Sequence, residues 1–176
     1  DGPIENTTGT NNASIGLTAG GSRTTFDSAV NPNSATEQWA SVEPVGAHAE
    51  GTTAIDIARP GSITGKNITI LVTDRGAGVR MLGPAFARNG DFEVRANGDI
   101  EVGTNIEATG NIVIGRPPPE RDGSHPAKLF LEGTEAVPVE IKAGGSIDLP
   151  VGSLQLRQTN LTAGVGSVTM GREDAP

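Results

Sequence analysis

The residues best equipped for chemistry are four acids in two close pairs, Asp91 with Glu93 and Asp99 with Glu101. Glycoside hydrolysis needs two carboxylates about 5–10 Å apart across a cleft. If these pairs lie on one outward face of adjacent coils, a Glu93–Glu101 or Asp91–Asp99 pairing meets that spacing. The competing reading is a set of solvated acids on strands. It is the one adopted here, because a sugar-cleaving groove also calls for aromatic platforms and the chain has one Trp and no Tyr. A nucleophilic triad would have to use His48 or His125, both in irregular stretches without a nucleophile-elbow pattern. With two separate histidines and no Cys, a transition-metal site is not expected. Asn-Gly-Asp occurs at Asn89 and again at Asn97, but two copies read as turns and not as a calcium-binding repeat. Gly65-Lys66 lacks the glycine pattern that a phosphate loop requires. The expectation is a protein that is not an enzyme and carries no cofactor or metal.

The elements that hold these residues are short strands. The stretch from Ser62 to Arg80 sets the pattern. Ile68, Ile70 and Val72 alternate with Thr69, Leu71 and Thr73, the period of a strand with one buried face. Asp74-Arg75-Gly76 stops it, and Gly76 and Gly78 permit a sharp corner before Val79. Similar strands follow at Phe92–Val94, Ile100–Val102, Ile106–Ala108 and Ile112–Ile114, and again from Leu129 to Met170, with Val137, Val139 and Ile141 read as one of them. Upstream, 13–18 and 53–58 show the same alternation. Val72, Val94 and Ile114 recur about twenty residues apart, the repeat of a β-solenoid coil. Asn97-Gly98 between apolar residues could make a two-residue hairpin, but the ladder continues at coil spacing and no barrel closure is visible. Roughly eight coils would stack into a rod of about 40 Å.

Composition supports this reading. The 176 residues include 25 Gly and 12 Pro, with an aromatic share of only 3%, which suits many strands and tight turns. The net charge of −8 leaves no basic stripe for phosphate, so no nucleic-acid partner is expected. No apolar run is long enough to span a bilayer. No charged-then-apolar leader opens the chain, and neither end looks capped, so a mature or excised segment of a longer protein is expected. The organisation reads as a polar lead-in (1–12), coils over 13–115 with an irregular loop at 22–51, a Pro-rich loop (116–127), further coils (128–172) and a tail (173–176). The first loop holds Asn31, in a turn, and Trp39, which suits anchoring the loop on the flank of the rod. The second holds Pro117 and Pro118, in an extended excursion. These four are the candidate interaction residues, because binding usually resides on loops of a rigid scaffold.

The stretch 52–114 resembles the end of the secretion domain of filamentous haemagglutinin-type exoproteins of two-partner secretion. The family pattern of an apolar segment, a Gly break, a strand and a T-x-x-G-x-GVR corner is matched by Ala54–Ile57, Gly65, Ile68–Val72, and Thr73, Gly76, Gly78, Val79 and Arg80. A following G-D-L-x-L-x-A-x-G-x-I pattern is matched by Gly90-Asp91-Phe92, Val94, Ala96, Gly98 and Ile100. The segment 13–27 is similar to an upstream V-x-G-x-N-x-x-D stretch, with Ser22 where the family usually has Asn. The resemblance implies an all-β, right-handed parallel β-helix exported through an outer-membrane transporter partner. It implies a secreted or cell-surface location in a Gram-negative-type bacterium. It also implies a role as adhesin, haemagglutinin or contact-dependent inhibition stalk that meets a host or neighbouring-cell receptor, monomeric within a longer chain. The alternatives are a carbohydrate-active β-helix, such as a polysaccharide lyase or tailspike-like hydrolase, and a trimeric tail fibre.

Overall fold

The computed structural model describes residues 4–5, 13–30, 40–44, 51–115 and 128–171. Among these the chain is all-β and has no helix. It is a right-handed parallel β-helix built from three stacked sheets. The first sheet holds β1 (Ile4–Glu5), β6 (Ile63–Gly65), β9 (Ala85–Ala87), β12 (Ile106–Ala108), β15 (Val139–Ala143) and β18 (Thr159–Ala163). The second holds β2 (Ile15–Ala19), β7 (Ile68–Val72), β10 (Phe92–Arg95), β13 (Ile112–Ile114), β16 (Ile147–Leu149) and β19 (Val168–Met170). The third holds β5 (Thr53–Ile57), β8 (Gly78–Met81), β11 (Ile100–Val102), β14 (Lys128–Glu132) and β17 (Ser153–Arg157). The chain visits first, second and third sheet in turn, so each circuit adds one strand to each. β3 (Ser22–Phe26) and β4 (Ala40–Pro44) pair separately and antiparallel.

The rod is shorter than the sequence suggests. Its sheets are six, six and five strands deep instead of eight, or about 25–30 Å at parallel-strand spacing. The difference arises because one circuit uses three short strands, several of only three residues, so apolar pairs that look like separate coils belong to one.

Registered strands stack like residues into columns. In the second sheet Ile15, Ile68, Phe92, Ile112, Ile147 and Val168 form one inward column. In the third, Ile55, Val79, Ile100, Leu129 and Leu154 form another. Most inner members are wholly buried; Phe92 is the largest. At roughly 25 cal/mol per Å² these columns supply the main stabilising term of a solenoid, whose layers touch only their neighbours. Val94 pairs with Ile70 and Ile114, not with Val72. The expected twenty-residue repeat therefore holds for the later step and is 24 for the earlier one, with the buried face unchanged because the slip is two residues.

Two further expectations are corrected. The stretch 22–51 is not irregular throughout, since β3 and β4 pair within it from Ser22 opposite Pro44 to Phe26 opposite Ala40. Val137 does not join an inward strand. It is exposed and lies in a turn, its N–H donating to Thr134 Oγ1 at 3.0 Å.

A polar column runs up the corner between first and second sheets. Ser14, Asn67, Asp91, Asn111, Ser146 and Ser167 each immediately precede a second-sheet strand. Asn67 Nδ2 donates to Ser14 Oγ at 3.1 Å, and the Asp91 N–H donates to Asn67 Oδ1 at 2.9 Å. The Asn111 N–H donates to Asp91 Oδ1 at 2.6 Å, and the Ser146 N–H to Asn111 Oδ1 at 2.9 Å. The Ser167 N–H completes the run on Ser146 Oγ at 3.3 Å. While Ser14 meets only the Asn67 side chain, each side chain from Asn67 to Ser146 satisfies a corner main-chain N–H of the next circuit that strand pairing leaves free. It also fills the space of the residue before that corner. A Cβ at Gly90, Gly110, Gly145 or Gly166 would overlap the oxygen of Asn67, Asp91, Asn111 or Ser146 respectively. Gly-Asp, Gly-Asn and Gly-Ser pairs are therefore paired requirements.

Candidate functional site

The residues matched to the family corner lie at the seam where the chain passes from second to third sheet. Thr73 is the only buried polar residue among those described. Its N–H donates to the Ala19 carbonyl at 3.0 Å, and its Oγ1 lies 3.2 Å from the carbonyls of both Ala19 and Gly21. Beside it, Asp74 Oδ1 accepts from the Gly21 N–H at 2.9 Å. Thr73 and Asp74 thereby fasten the point at which the chain leaves β2 toward β3. Gly76 has φ of 75°, the left-handed region that glycine enters without strain. Gly78 and Val79 are buried, and Arg80 points outward beside Asp56 and Glu101 in neighbouring strands. Arg80 Nε donates to Asp56 Oδ1 at 3.1 Å, and Arg80 Nη2 to Asp56 Oδ2. That two-pronged hydrogen bond holds the Asp56 carboxyl below its ordinary range. Gly65 lies at the other corner and heads a column of small inward residues, Ala87, Ala108, Ala143 and Ala163. A Cβ there would stand 3.0 Å from Ile15 Cδ1.

Both long insertions use the same seam. β2 ends at Ala19 and its circuit resumes at β5, while β13 ends at Ile114 and its circuit resumes at β14. Each gap separates a second-sheet strand from the following third-sheet strand. Residues 20–52 and 115–127 therefore leave one edge of the rod, three circuits apart. Asn31, Trp39, Pro117 and Pro118 lie outside the described residues, as do His48 and His125.

The four acids do not share a face. Glu93 lies on β10 in the second sheet and Glu101 on β11 in the third, consecutive strands of one circuit. Glu93 is paired with Arg95 Nε at 2.6 Å. Asp91 belongs to the polar column, and Asp99 Oδ1 accepts from the Lys128 N–H at 3.2 Å. The adjacent-coil placement assumed from the sequence fails because one circuit contains both strands.

Sequence reasoning passed over a recess of about 250 Å³ on the outer side of the first sheet. Arg88, Glu107, Thr109 and Lys142 line it, with Ala87, Ala108 and Ala143. Its members come from three circuits, on β9, β12 and β15 and just beyond them, with Glu107 directly opposite Lys142. Residues 21 and 35 positions apart become neighbours only after the coils are registered, so no local motif marks them. The Arg88 guanidinium lies 4.5 Å from the centre of the Phe86 ring. Lys142 Nζ pairs with Glu140 Oε2 at 2.6 Å, and that bond, helped by the charges of Glu140 and Glu107, raises its pKa.

Comparison of the chain with protein-family models, curated proteins and solved structures finds no match. No helix among the described residues is long and apolar enough to cross a membrane.

Proposed function

We propose that this chain is a structural and adhesive β-helical segment of a large exported exoprotein of the filamentous haemagglutinin type. It passes an outer-membrane transporter and displays its insertions to a receptor on a host or neighbouring cell. The observation that carries this reading is the departure of both insertions from one seam of a rigid rod. A scaffold that gathers its two longest excursions at one corner is built to present loops. Sequential layering also suits export, because each circuit can fold onto those already outside. The outward carboxylates Glu93 and Glu101 lie in different sheets, and Glu93 is held by Arg95, which favours display over the glycan-hydrolase alternative.

The test compares cell binding by the full chain with binding by two variants. One replaces residues 27–39 with a short Gly-Ser linker and the other so replaces 116–127. Binding that falls in either variant, with the β-sheet circular dichroism unchanged, supports display. Equal binding by all three, or none by the full chain, removes it. Co-expression with a transporter of the two-partner pathway tests export separately, through protease-accessible chain at the cell surface.

A further inference from the structure

The recess on the first sheet combines features that the display of loops does not use. Arg88 is exposed, and among the described residues no carboxylate is paired with it. Lys142, on the other side, is already engaged by Glu140. The face-on contact with Phe86 restrains the Arg88 guanidinium without neutralising it, so its planar fork remains available to an anion. Glu107 lies in the same recess, one strand from Lys142. A bare inorganic anion would meet that carboxylate. A ligand carrying hydroxyl groups beside its anionic group would instead donate hydrogen bonds to it.

We propose that this recess binds a carboxylate-bearing sugar of the uronic-acid class. The sugar carboxylate takes the Arg88 fork in two parallel hydrogen bonds. Ring hydroxyls bond to Glu107 and to the Thr109 hydroxyl. The inference names a ligand for the adhesive reading and rests on that reading only for its biological setting.

Isothermal titration of the full chain with a short oligogalacturonate tests it. A neutral galactose oligomer of equal length and inorganic phosphate serve as comparisons. The expected result is saturable binding of the uronate, weakened by salt, with no comparable binding of either control. Arg88→Ala should weaken it about tenfold or more, and Arg88→Lys by less, since charge survives but the fork does not. Thr109→Val should weaken it without changing its salt dependence. No uronate binding, equal binding of the neutral oligomer, full competition by phosphate or an unchanged Arg88→Ala variant would each overturn the proposal. Arg88 is exposed, so loss of fold does not confuse the result, and circular dichroism checks it. Cell adhesion measured on the same preparations separates the two ideas. Uronate binding without adhesion keeps the recess and removes the adhesive role, and adhesion without uronate binding does the reverse.

Discussion

The main-chain carbonyl of Asp99 occupies the space that a side chain on Gly78 would need. The Val79 N–H donates to that same carbonyl at 3.0 Å, so the oxygen is fixed by the strand pairing it takes part in. Gly78→Ala must therefore push one circuit away from the next. Overpacking of this kind typically costs about 1–3 kcal/mol. Urea unfolding should show a lower midpoint for the variant, and an unchanged midpoint would mean that the corner can relax.

Thr73 anchors the first insertion from below. In Thr73→Val the shape persists but the hydroxyl is lost, leaving the Gly21 carbonyl without that partner. The expected cost is about 1 kcal/mol. The more telling readout is local: amide exchange in β3 and β4 should accelerate while that of β10 and β13 stays as it was. Uniform acceleration would assign Thr73 to the core at large.

Asn111 bridges two circuits, with Asp91 below and Ser146 above. In Asn111→Ala the Ser146 N–H loses its acceptor in a partly exposed corner. A loss of about 0.5–1.5 kcal/mol is expected in thermal or denaturant unfolding. Asn111→Asp keeps an acceptor in place and should recover most of it.

The Asp56–Arg80 pair predicts an acid limb to stability. Arg80 lowers the Asp56 pKa from its ordinary 3.8, chiefly by hydrogen bonding. A depressed folded-state pKa gives stabilisation that is fully present above the unfolded value and fades as pH falls from 3.8 toward the folded one. Arg80→Gln should lower the melting temperature slightly at neutral pH and low salt, and the gap from the unaltered chain should close in acid. Both groups are solvent-exposed, so added salt should narrow the gap as well. A gap that persists in acid would place the effect in packing.

The sequence made some of these elements plain and hid others for physical reasons. Ile68–Val72 was legible because its inward residues are large and its outward neighbour Thr69 is polar. Ala85–Ala87 was not, because it inverts the usual pattern: two small alanines face the core and Phe86 faces out. Ser22–Phe26 carries no alternation of apolar and polar residues at all, since it pairs only with β4. The Gly-Asp and Gly-Asn pairs were readable as corners, yet the column they form needs the register of six circuits. The recess was beyond reach for the same reason, since Arg88, Glu107 and Lys142 are distant in the chain. Acids two residues apart were easy to see, but which sheet each faced depended on how many strands make one circuit.

The shared seam has a consequence for how such a chain can change. Successive second-sheet strands are 24, 20 and 21 residues apart where nothing intervenes, but 53 and 35 where an insertion does, and register is kept in every case. Length at that edge is thus uncoupled from the core columns, whereas from Gly65 onward the corner between first and second sheets, with its glycines and interlocked side chains, holds to two to four residues. The rod has one margin open to grafting, where a foreign segment could be spliced between Gly115 and Lys128 without any buried residue having to move.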